Sequence, residues 1–79
     1  MSLIAVVQRP GAPTLTVARS GSGVIVFWPM TPGFVLQQNP DLTTSNWTAS
    51  GYAVATNGSI ESVTVAPPAG NLFFWLVRP

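Results

Sequence analysis

The sequence predicts an all-β domain, and three observations predict it. Eight Pro and seven Gly are spread along 79 residues and cut the chain into short apolar runs, the punctuation of a chain built from strands and turns. Val, Ile, Thr, Phe and Trp dominate those runs, as a pleated, half-buried surface favours. No stretch long enough for a stable helix repeats its apolar residues at a helical period.

The runs span residues 3–7, 15–18, 24–28, 34–38, 47–54, 60–65 and 72–77. Arg9-Pro10-Gly11-Ala12-Pro13 precedes the second, and Ser20-Gly21-Ser22-Gly23 precedes the third as a hairpin turn. Pro29-Met30-Thr31-Pro32-Gly33 separates the third from the fourth, and a polar loop over 39–46 follows, where Asp41 or a Thr caps a short turn. Asn57-Gly58 tolerates the positive φ of a type I′ turn and predicts a hairpin pairing 52–54 with 60–63. Pro67-Pro68-Ala69-Gly70 marks the break before the last run.

Alternation along a strand assigns faces in part. Val24, Val26 and Trp28 are expected inward with Ile25 and Phe27 outward; Phe34 and Leu36 are expected inward with Val35 outward. The last run, Leu72-Phe73-Phe74-Trp75-Leu76-Val77, is apolar at every position. Either Phe74 and Leu76 or Phe73, Trp75 and Val77 face out, and both parities leave bulky groups to be covered.

Composition bounds the rest. A chain of 79 residues makes one domain with a thin core, burying only about 60% of its surface. Charged residues are 6% of the chain, against about 25% in an average soluble domain. Three dispersed arginines and a net charge of +1 give no footprint for nucleic acid or an anionic membrane. The run 3–7 is too short for a signal peptide or a membrane span. Without cysteine, disulfides are excluded and the compartment is undetermined.

These residues in this order resemble a fibronectin type III-like or immunoglobulin-like module of large secreted bacterial proteins. The similar segments are Leu15-Thr16-Val17, Gly23 through Pro29 with Trp28 as core tryptophan, Gly33 through Gln38, Asp41-Leu42 to Trp47-Thr48, Ser62 through Val65 and Phe73 through Leu76. The resemblance implies a small antiparallel β-sandwich of about six to seven strands, with 1–12 as N-terminal strand and linker and 13–79 as sandwich core. It also implies an extracellular or cell-surface setting. Two departures stand out. Phe27, Trp75 and Val77 occupy outward places that are polar in the family. The family's last strand is missing, which leaves an open edge for run 3–7 to fill, in its own subunit or a neighbour's.

Chemistry is sparse. No His and no Cys means no Ser-His or Cys-His nucleophile and no ordinary zinc site. Asp41 and Glu61 are the only acids; Asp41 is expected to cap its turn and Glu61 to lie on a solvated face beside a hairpin. Gly21-Ser22-Gly23 lacks the helix and Lys of a phosphate cradle, and no cofactor motif is present. Asn46-Trp47-Thr48 and Asn57-Gly58-Ser59 fit a glycosylation pattern too common to carry weight.

The expected function is therefore non-enzymatic association, with itself or a larger assembly. The surplus apolar side chains Ile25, Phe27, Val35, Trp75 and Val77 are the candidate interface, with Phe27, Trp75 and Val77 as one shared patch. The alternative is carbohydrate binding on Trp47 and Tyr52, with Gln37 and Asn46 as hydrogen-bonding neighbours. Against that, Trp47 is better explained as a core plug between the sheets.

Overall fold

A computed structural model of the chain describes residues 4–21, 23–65 and 70–78. Leu3, Ser22 and the Pro-Pro-Ala break at 67–69 lie outside the described residues. The strands are β1 (Ile4–Val6), β2 (Thr16–Ser20), β3 (Gly23–Pro29), β4 (Val35–Asn39), β5 (Thr48–Ala49), β6 (Ala55–Asn57), β7 (Ile60–Val65) and β8 (Leu72–Val77). They form two four-stranded sheets, β1-β8-β4-β5 and β2-β3-β7-β6. Between them lie the buried side chains of Leu15, Val26, Trp28, Leu36, Val63, Val65, Phe74 and Leu76.

The inner faces follow the alternation expected of β3 and β4. Val26, Trp28 and Leu36 are buried, Val24 and Phe34 are half-buried, and Val35 is exposed. In β8, Phe74 and Leu76 are 0% and 2% exposed, so Phe73, Trp75 and Val77 point outward. Packing chooses that parity, because a strand apolar on both faces carries no alternation signal of its own.

The run 47–54 contributes only the short strand β5, which pairs with β4, while residues 55–57 (β6), and not the expected 52–54, pair with β7 in the other sheet, so the chain changes sheets across residues 50–54. Gly51, at φ +77°, lies in that crossing, where an L side chain is disfavoured. The hairpin also moves by one residue. Asn57 pairs with Ile60, which makes Gly58 and Ser59 the turn. Gly58 has φ +63° while no non-glycine residue described has a positive φ. That pattern belongs to a type II′ turn rather than the expected I′.

The free edge of β8 is occupied by the chain's own β1. Ile4, Ala5 and Val6 pair in parallel with Leu72, Phe73 and Phe74, and the Val7 amide donates to the Phe74 carbonyl at 2.7 Å. The Gln8 side chain ties down the connection that follows. Gln8 Oε1 accepts from the Leu15 amide at 2.9 Å, while Gln8 Nε2 donates to the Pro13 carbonyl at 2.9 Å and the Ala12 carbonyl at 3.2 Å.

Candidate functional site

Trp75 organises the outer face of the β1-β8-β4-β5 sheet. Gln37 is its register partner on β4, and Trp75 Nε1 donates to Gln37 Oε1 at 2.8 Å. Trp47, just before β5, stacks on the Trp75 ring with centroids 3.7 Å apart and planes inclined by 11°. The Arg9 guanidinium, beyond the end of β1, sits 4.5 Å from the Trp75 centroid. Since β1 and β5 lie on opposite sides of β8 and a parallel ring at 3.7 Å fills one face, Arg9 takes the other. The ring is clamped between an indole and a cation, both favourable neighbours for its π faces.

Trp47 is therefore not a plug between the sheets. It is half-buried on the outside, where it covers apolar surface that β8 cannot bury inward. Nor does Trp75 stand as bare interface surface, because its own chain covers it.

The candidate interface residues divide between two faces. Ile25 and Phe27 alternate with buried Val26 and Trp28 on β3 and look outward from the β2-β3-β7-β6 sheet. Val35, Trp75 and Val77 look outward from the other sheet. No patch shared by Phe27, Trp75 and Val77 forms, because β3 and β8 belong to different layers.

The sugar-platform residues divide as well. Trp47 and Gln37 meet around Trp75, and Asn46 is exposed beside Trp47. Tyr52 instead packs tilted against buried Phe74, with centroids 6.3 Å apart, and belongs to the margin of the core.

Both acids serve structure. Glu61 is not on a solvated face: it shares the inward parity of Val63 and Val65, is half-buried, and Glu61 Oε2 accepts from Trp28 Nε1 at 3.2 Å. Asp41 caps its turn as expected, with Oδ1 accepting from Thr43 Oγ1 at 2.7 Å and the Thr43 amide at 3.0 Å. Those two bonds, the hydroxyl's first, hold the exposed Asp41 carboxyl below its ordinary pKa.

A cavity of about 240 Å³ opens where the β1–β2 connection meets the end of β8. Its walls include Arg9, Gly11, Phe34, Leu76, Val77 and Arg78. The Arg78 guanidinium lies 4.7 Å from the Phe34 ring centroid. Sequence reasoning missed this pair of arginines, since Arg9 and Arg78 sit near opposite ends of the chain and read only as dispersed charge. The parallel docking of β1 beside β8 brings them to one cavity.

Among the described residues no group of three His, Asp or Glu is placed to hold a metal ion, and no helix is long and apolar enough to cross a membrane. Comparison with protein-family models, curated proteins and solved structures finds no match.

Proposed function

We propose that the domain is a non-enzymatic association module in which two copies pair through the outer face of the β2-β3-β7-β6 sheet. The observation that carries this reading is the lack of charge on that face. Register places Thr16 beside Phe27 and Ala18 beside Ile25 on one side, with Ser62 and Thr64 on the other and Ala55 beyond Ser62. Ile60, 39% exposed, extends it. Arg19 puts a charge on edge strand β2, but it pairs with Val24 and so has the parity opposite to Ile25 and Phe27, which leaves those outward positions uncharged.

The fibronectin type III-like resemblance is part of the proposal, supported by the two-layer arrangement around Trp28.

Light scattering after size exclusion, over a hundredfold range of concentration, tests it. A dimer that Phe27→Arg converts to a folded monomer is the expected result. A monomer at every concentration, or a dimer indifferent to Phe27→Arg, would defeat the reading.

A second reading rests on Trp47. Its ring is backed by Trp75 at 3.7 Å and flanked by exposed Asn46, the makings of a small stacking platform for a sugar face. A shift in tryptophan emission with polysaccharides, lost in Trp47→Ala, is the expected sign; silence across a broad panel would remove it.

A further inference from the structure

We propose that the cavity between Arg9 and Arg78 binds a carboxylate borne on a short apolar body. The first argument is charge. Two of the chain's three cationic side chains line this one cavity, and neither Asp41 nor Glu61 does. The two carboxylates are engaged elsewhere, by Thr43 and by Trp28. An anion is the complement this cavity lacks from its own side chains.

The second argument is preorganisation. Each guanidinium is held by an aromatic ring, Arg9 at 4.5 Å from the Trp75 centroid and Arg78 at 4.7 Å from that of Phe34. Stacking occupies the face of a guanidinium and leaves its N–H edge available, the edge that grips a carboxylate in a bidentate fork. Neither guanidinium donates a hydrogen bond to another described residue. Arg78 is seated further against the backbone at Gly33, where a Cβ would stand 3.4 Å from Arg78 Nε.

The third argument is the wall between them. Phe34 and Val77, both half-buried, give the cavity an apolar floor. A bare inorganic anion leaves that floor wet, whereas an aliphatic tail removes it from water. The volume of about 240 Å³ lies below the roughly 300 to 1,000 Å³ typical of drug-sized ligands. A short acid or the last residue of a peptide fits the scale.

The test is a titration of the whole chain followed by amide and arginine Nε–H chemical shifts. The probes are hexanoate, N-acetylleucine, their uncharged amides and inorganic phosphate. Saturable shifts at Arg9, Gly11 and Arg78 with both acids, but not with either amide, are expected, weakening as sodium chloride is raised. Arg78→Gln, on an exposed residue, is expected to keep the amide spectrum of the folded chain and raise Kd by about tenfold or more. Arg9→Lys, which keeps the charge and loses the fork, is expected to weaken binding in the same direction. Tighter binding of N-acetylleucine than hexanoate assigns the site to peptide C-termini, and the reverse assigns it to free acids. Equal binding of the amides, phosphate as tight as hexanoate, indifference to Arg78→Gln, or no saturable shift would each overturn the proposal.

Discussion

Trp47 and Trp75 stack face to face on the outside of the sandwich, their centroids 3.7 Å apart and their planes within 11°. With Arg9 on the remaining face of Trp75, this pair covers the second side of a strand that is apolar at every position. The loop before β5 and the segment after β1 are thus fastened to β8 by side chains as well as by the sheet.

A double-mutant cycle measures that fastening. Trp47→Ala, Trp75→Ala and the double variant, unfolded in urea, are expected to give a coupling of about 0.5 to 1.5 kcal/mol. Strict additivity would mean that the rings share a surface without stabilising one another.

The Trp28–Glu61 bond makes a second prediction. Trp28→Ala empties the centre of a thin core and costs about 3 to 5 kcal/mol, enough to unfold a domain this small. Glu61→Leu removes the acceptor for a buried indole N–H and is expected to cost about 1 to 3 kcal/mol. Glu61→Gln retains a carbonyl acceptor and costs less. Equal losses from Leu and Gln would locate the role of Glu61 in its charge instead.

Gln8 is expected to govern the docking of β1. Gln8→Ala leaves the Leu15 amide and the Pro13 carbonyl without the side chain that satisfies them, so the connection loosens. Hydrogen exchange at the Val7 amide should accelerate before exchange on β3 and β7 does. Uniform acceleration across both sheets would show instead that β1 is inseparable from the global fold.

At Gly58 the cost of a side chain is purely conformational. An added Cβ meets nothing within 4 Å, yet φ is +63°. Gly58→Ala is expected to lower stability by about 1 kcal/mol, read as a reduced urea midpoint with an unchanged m-value. No loss would exclude the type II′ geometry of the β6–β7 turn.

Asp41 contributes a small acid-side dependence with a definite sign. Its folded-state pKa lies below the ordinary 3.8, so its stabilisation is present above that value and is lost as pH falls through the lowered folded value. The stability advantage of the native chain over Asp41→Asn should shrink on acidification from about pH 5 to pH 2. An advantage constant over that range would show that the Thr43 hydrogen bonds are indifferent to the charge.

The sequence by itself determined the all-β class, the inward parity of Val26, Trp28 and Leu36, and the turn role of Asp41. Each depends on a period of two or on turn chemistry within a few residues, which a chain displays locally. Tertiary structure decided the rest. In β8 the apolar residues run unbroken, so parity awaited the packing of Phe74 and Leu76 against the opposite sheet. The surroundings of Trp47 and Glu61 differ from those their local sequence suggests, because the partners that hold them, Trp75 and Trp28, lie on strands remote in sequence. The cavity between Arg9 and Arg78 exists only because β1 adds in parallel to the edge of β8. A non-local pairing of that kind is settled by which surfaces remain to be buried once the sheets have formed, and no local pattern encodes it.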